Sequence, residues 1–169
     1  MPYFNMQAKV RRALDFLHSE KTYAGLGGLS RWPYEPNGEV LIPEPALTDE
    51  LNDVQVFKKI AVKHLLRIDG LGDIVFQDMR FSQVDEGIAY QTSACHIMFE
   101  VNFLGNEAPE GTYRKLGIYE DMTFTVPGYL CYPDQISLES TGYLHSIIHF
   151  PPVAHTGSTN DKFKIIIEF

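Results

Sequence analysis

The run ACHIMFEVNF (residues 94–103) alternates with a period of two. Ile97, Phe99, Val101 and Phe103 fall on one face, and His96, Met98, Glu100 and Asn102 fall on the other. Successive side chains of a β-strand point to opposite faces, so this period buries one face and leaves the other polar. KFKIIIEF (162–169) does the same with Phe163, Ile165, Ile167 and Phe169, and an apolar strand of this kind is expected to be paired in a sheet. GYLHSIIHF (142–150) and TYRKLGIYE (112–120) also read as strands, although Tyr113 and Leu116 break strict alternation. DIVFQDM (73–79) and GIAYQT (87–92) are short β-rich runs, and VFKKIAVKHLLRI (56–68) fits either a helix or a strand. The clear helical stripe is Val10, Ala13, Leu14 and Leu17, spaced i, i+3, i+4 and i+7, with Asn5 as its expected N-cap. Helical patterns do not alternate with the strands, so the expected fold is mainly β (α+β). We expect an antiparallel β-sandwich or barrel-like domain with a short N-terminal helix and a long extended arm.

The arm begins after TYAGLGGLSRWPYEPNG (22–38). Gly25, Gly27 and Gly28 invite comparison with a phosphate cradle. A dinucleotide fingerprint needs glycine at G-x-G-x-x-G, followed by a helix. Here the sixth position is Ser30, RWPYEPNG follows, and no Lys-Ser/Thr pair completes a P-loop. The glycines therefore read as a sharp turn or a close backbone approach. From Pro33 to Val56 the prolines Pro33, Pro36, Pro43 and Pro45 interrupt ladder hydrogen bonding. Glu35, Glu39, Glu44, Asp49, Glu50 and Asp53 add charge without one Lys or Arg, and LTDEL offers one helical turn. The segments are thus 1–21 as helix, 22–56 as strand, glycine turn and arm, and 57–169 as the antiparallel β region, together one structural domain.

A hydrophobic share of 44% with eleven Phe and nine Tyr is unlike a disordered chain. A net charge of −8 disfavours nucleic acid or an anionic membrane as the main partner. No stretch approaches a membrane span, and the opening residues carry no signal-peptide run, so we expect a soluble protein folded in a reducing cytoplasm. Cys95 and Cys131 are then expected as free thiols.

No constellation asks for catalysis. His145 and His149 could share a metal on a helix but stand too far apart on a strand, and the β-rich setting favours the strand. DGLGD lacks the order of a calcium loop, and no G-x-S-x-G or C-x-x-C occurs. Cys95 lies beside His96, but neighbours on a strand point apart, so no Cys–His pair is expected there. We expect no catalytic, metal or cofactor site.

The order of motifs carries more. YAGLGGLSRWP (23–33) is followed by IPEPALTDEL…FKKI (42–60), IMFEVNFLGNEAPEGTYRKLGIYED (97–121) and GYLHSIIHFPPVAH…NDKFKIIIEF (142–169). This order resembles a family of small structural proteins of contractile-tailed bacteriophages, encoded among tail and baseplate genes. The shared elements are a Gly-x-Gly turn leading to Trp-Pro and a Pro- and acid-rich stretch before a Lys-Lys strand. A Tyr-Arg-x-hydrophobic-Gly-hydrophobic-Tyr element and a closing IEF-like strand complete the pattern. YLCYPDQISLES (129–140) has no counterpart, and His145 and His149 stand where other residues are expected. The resemblance implies a virion tail or baseplate component, made in the host bacterial cytoplasm and contacting other tail proteins and copies of itself. It implies no nucleic acid, membrane or small-molecule substrate.

Candidate interface residues are Trp32, Pro33, Tyr34, Pro36, Pro43, Pro45, Arg114 and Tyr119. Trp32 is either an interface anchor or a core residue, and Arg114 either pairs with a carboxylate or is an ordinary exposed strand arginine. The rival assignments are a neck or tail-completion protein, a cupin-like metal enzyme using His96, His145 and His149, and a carbohydrate-binding module.

Overall fold

The computed structural model describes residues 5–32, 53–138 and 142–169. The helix α1 spans Met6–His18 and is followed by β1 Tyr23–Gly27, β2 Val56–Lys59, β3 Lys63–Ile68, β4 Ile74–Phe76 and β5 Met79–Gln83. Then come β6 His96–Leu104, β7 Gly111–Glu120, β8 Leu130–Cys131, β9 Tyr143–His155 and β10 Asn160–Glu168. Among the described residues the strands form two five-stranded sheets, ordered β8-β2-β1-β7-β9 and β10-β6-β3-β5-β4. β1 runs antiparallel to β2 and β7, β7 to β9, and β3 to β5 and β6. The fold is mainly antiparallel β with a short helix, as the alternating runs require. The chain divides into two compact units, one of Met1–Glu20, Ile60–Glu100 and Phe163–Phe169, the other of Lys21–Lys59 and Val101–Lys162.

In the first unit, Asn5 caps α1 by accepting from the Gln7 amide at 3.0 Å. Val10, Ala13 and Phe16 are the buried positions, with Leu14 and Leu17 only half-buried. Phe16 extends the expected stripe, and its ring meets Phe99 at 6.3 Å and Phe169 at 5.2 Å between centroids. The last turn leaves carbonyls without intrahelical partners. The Lys63 ammonium fills that need, donating to the Phe16 and Ser19 carbonyls at 2.6 and 2.7 Å. A cation also suits the negative end of the helix dipole. At the end of the chain the Phe169 amide donates to the Cys95 carbonyl at 2.9 Å. The final strand is held in its sheet, as its apolar face demands.

Several short runs differ from expectation. VFKKIAVKHLLRI is two strands, β2 and β3, separated at Ile60–Val62. DIVFQDM contains a turn, with Gln77 and Asp78 both at positive φ (49° and 64°). A two-residue hairpin turn needs that backbone, and the Asn-Gly signal that usually marks it is missing. GIAYQT is not a strand. Asp85 accepts from the Gly87 amide at 2.8 Å and opens a 3-10 turn at Glu86–Ile88. The one-turn helix read in LTDEL lies outside the described residues.

His96 is also not on a wet polar face. It is 4% exposed, with Phe81 edge-on at 5.1 Å. Its Nδ1 lies 3.8 Å from the Cys95 sulfur, a contact that strand alternation argued against. Cys95 precedes β6 rather than standing within it, so the alternation rule does not reach it. Both cysteines are free thiols and buried.

In the second unit β1 is central, between β2 and β7, and all five of its residues are buried. Tyr23, Val54, Phe57, Met122, Phe124 and Cys131 form a hydrophobic cluster over it. Gly25 pairs with Gly117, and a Cβ on Gly25 would stand 2.9 Å from Tyr119 Cε2 and 3.2 Å from Val54 Cγ1. Overpacking at a closed site of this kind costs about 1–3 kcal/mol. We therefore predict that Gly25→Ala lowers unfolding free energy by about that amount in urea titration. Gly70→Ala, where nothing lies within 4 Å of the added carbon, should change it by less than about 0.5 kcal/mol.

Burial pushes the His96 pKa below its ordinary value, partly opposed by the Glu168 carboxylate and reinforced by the Lys9 ammonium. A depressed folded-state pKa means that the unfolded chain takes the proton first. The stability of the folded state is then full above the unfolded histidine pKa and declines as pH falls through and below it. Urea midpoints measured between pH 7.5 and 5 should show this loss, and His96→Phe should reduce its slope.

Candidate assembly interface

The glycine turn is built around a buried guanidinium. β7 pairs with β9 with two register shifts, one between Tyr113 (opposite Val153) and Lys115 (opposite His149), the other between Ile118 and Tyr119. At the first shift Arg114 alone faces Phe150, Pro151 and Pro152, so the extra residues are in β9, and the two proline nitrogens have no hydrogen to give the ladder. Tyr113 and Arg114 are both buried, at 1% and 3% exposure.

From there the Arg114 Nη1 donates to the carbonyls of Gly28, Leu29 and Thr112 at 3.1, 2.9 and 3.0 Å. Gly28 sits at φ +80°, and a Cβ there would meet the Lys115 backbone nitrogen at 2.9 Å. Gly27 likewise leaves space for the Asp53 carbonyl. The cluster is thus both a sharp turn and a close approach, and the cation beside it answers carbonyl oxygens. A phosphate cradle would offer amide donors instead.

The chain is fixed on either side of residues 33–52. Before them, the Leu29 amide donates to Asp53 Oδ2 at 2.8 Å, and Trp32 is 8% exposed with its ring 5.8 Å from that of His149. After them, the Gln55 amide donates to the Leu26 carbonyl at 2.9 Å, and Val54 and Val56 are buried. Of residues 53–56, read from sequence as the end of the arm, Val56 opens β2, and Asp53 and Gln55 are bonded to the chain at the end of β1. Pro33, Tyr34, Pro36, Pro43 and Pro45 lie outside the described residues. Tyr119 packs edge-on against Phe57 at 5.2 Å, and burial pushes its hydroxyl pKa to about 12, with the Asp53 charge adding to the shift.

An open groove of about 630 Å³ lies beside the turn, lined by Leu29, Arg31, Glu110, Gly111, Thr112, Arg114 and Pro152. His145 and His149 stand on β9, as the strand reading required. His145 Nε2 is 3.9 Å from Glu120 Oε2, while His149 faces Trp32. His155 lies apart from both, bonded through Nδ1 to Asp161 at 2.5 Å and through Nε2 to the Gly105 carbonyl at 3.3 Å. Among the described residues no three His, Cys, Asp or Glu side chains are grouped to hold a metal.

Sequence reasoning missed the excursion between β7 and β9. Met122 and Phe124 turn into the core, while Val126, Tyr129, Tyr132, Ile136 and Leu138 stay exposed. A second groove, of about 400 Å³, runs past Tyr119, Met122, Ile136 and Tyr143. The available signal was compositional, since TVPGYLCYPDQISL has many large apolar residues and no period of two or 3.6.

A family model described as baseplate wedge 3 tail fiber network component matches residues 1–169. The chain belongs to this family. It is a structural component of a phage tail baseplate, which agrees with the resemblance read from its motif order and favours the baseplate over the neck. No curated protein matches the chain. In the baseplate protein, the turn held by Arg114 follows β1 and precedes Trp32. Leaving the buried Gly28 carbonyl and the part-buried Leu29 and Thr112 carbonyls without this donor costs about 1–3 kcal/mol for each group cut off from water. Arg114→Met should lower unfolding free energy by at least ~2 kcal/mol, and Arg114→Lys should recover only part of it, because an ammonium lacks the planar fork.

Proposed function

We propose that this baseplate chain is a non-enzymatic scaffold subunit of a contractile tail. In this reading it sits in the wedge region and contacts other baseplate and tail fibre proteins through the segment that leaves the sheet at Trp32. The observation carrying this reading is the pair of anchors at Leu29–Asp53 and Leu26–Gln55. They fix the start and the end of residues 33–52 on one sheet, so the twenty residues between them, whatever their conformation, are presented from a defined base.

Composition supports a contact role for that segment. It holds four prolines, Tyr34 and five acidic residues without one Lys or Arg. Prolines limit the conformations that a segment loses on binding, and acids without internal counterions favour a basic partner. Pro33, Tyr34, Pro36, Pro43 and Pro45 are the proposed contact residues. Trp32 and Tyr119 position the segment's base from within the unit, and Arg114 locks the turn that leads to it. Copies of the chain in one baseplate would each present the same segment to the neighbouring subunit.

Replacing residues 33–52 by a short Gly-Ser linker tests the assignment in phage complemented with the altered gene. The expected result is a drop of roughly tenfold or more in the chain's incorporation into particles, with the purified variant retaining its β-sheet circular dichroism. Incorporation equal to wild type would overturn the contact role.

A further inference from the structure

We propose that the excursion from Met122 to Leu138 is a second docking platform. It would take a partner protein whose contact face is apolar at its centre and ringed by Lys or Arg. This deepens the scaffold reading and rests on it only for the partner being another tail protein. The platform is separate in sequence from residues 33–52, and no motif of the family resemblance covers it.

Its apolar side chains are unusually bare. Leu138 is 105% exposed, Tyr129 66% and Val126 62%, with Tyr132 and Ile136 near 37% and 36%. An apolar group this concentrated over some thirteen residues is a mark of a binding surface rather than of scattered surface residues. Tyrosine is also among the residue types enriched at interface centres.

The platform is built, not loose. Met122 and Phe124 anchor it in the cluster with Tyr23 and Phe57. The Thr125 amide donates to the Gln135 carbonyl at 2.7 Å and the Ser137 amide to the Thr123 carbonyl at 2.9 Å, bracketing the bridge between Phe124 and Ile136. The Tyr132 amide donates to Gln135 Oε1 at 2.9 Å. The Lys59 ammonium lies 5.9 Å over the Tyr129 ring, and the Lys59 backbone amide donates to the Tyr129 carbonyl at 2.7 Å. With the exposed rings already held, binding loses little conformational entropy.

Charge selects the occupant. Between Lys115 and Lys162 the sequence has five acids and no Lys or Arg. Glu120 and Asp161 lie beside His145 and His155, and the Lys59 ammonium at the platform is engaged with the Tyr129 ring. Asp134 is exposed within the platform and Asp121 at its foot. A second copy of this chain, also at −8, would bring the same acids face to face, and like charges across an interface are strongly disfavoured. A partner with basic residues around an apolar centre satisfies both the bare side chains and the carboxylates.

The test places a photo-reactive amino acid at Tyr129 or Leu138 in phage particles and maps the adduct. The expected adduct is to a different tail protein, on a peptide that contains Lys or Arg. Leu138→Asp and Asp134→Lys should each lower incorporation roughly tenfold, while Leu71→Asp, at a site 90% exposed in the other unit, should not. These substitutions are at exposed positions, and an unchanged thermal midpoint of each purified variant checks that folding is intact. An adduct to a second copy, or incorporation of the platform variants equal to wild type, would overturn the proposal. Absence of the wild-type chain from particles would overturn the scaffold reading itself, so the two failures are distinguishable.

Discussion

The second unit depends on one buried cation. Arg114 would cost several kcal/mol to bury if its N–H groups met nothing. It meets the Gly28, Leu29 and Thr112 carbonyls, and those contacts set the course of the chain as it leaves β1. The bulge in β9 lies opposite Arg114, and the glycine at positive φ lies beside the two carbonyls that the guanidinium reaches. The segment from Pro33 onward departs from a base fixed in this way, and so does the link from the turn through Asp53 into β2.

The first unit uses the same device at a helix end. The Lys63 ammonium satisfies the Phe16 and Ser19 carbonyls and lies 4.9 Å over the Phe16 ring. Surface pairs such as Lys9–Glu168 and Arg11–Asp15 contribute little beside it, because solvent screens them and long side chains must be ordered to form them. In both units a cation from a strand answers main-chain carbonyls that regular hydrogen bonding leaves over. Such carbonyls arise wherever a helix or strand stops, and positively charged side chains are the donors best able to reach them.

The family assignment gives these features a setting. A baseplate subunit needs a rigid body and surfaces that act only on assembly. The ordered sheets supply the first. Residues 33–52 and the platform at 122–138 are proposed for the second, and they would use opposite balances of charge and apolar surface. One is rich in acids and proline. The other exposes tyrosine and aliphatic side chains around fewer acids.

The sequence by itself determined the β class, α1 and its Asn5 cap, the strands β6, β7, β9 and β10, and the family resemblance. Each of these rests on a local period or a motif order that needs no knowledge of what lies across the sheet. It also set the glycines apart from a dinucleotide fingerprint, because the sixth position is Ser30 and RWPYEPNG follows. It did not show that Arg114 is buried, that Cys95 touches His96, or that residues 53–55 are bonded to the end of β1. Those outcomes depend on long-range pairing and on a strand that starts two residues later than the alternating run. The hairpin turn at Gln77–Asp78 and the 3-10 turn at Glu86 were hidden for a related reason, since their residues carry weak turn signals and tertiary pairing decided the backbone. Only the folded chain could place a guanidinium under the glycine turn, because the partners that make its burial tolerable come from residues 85 and 86 positions away.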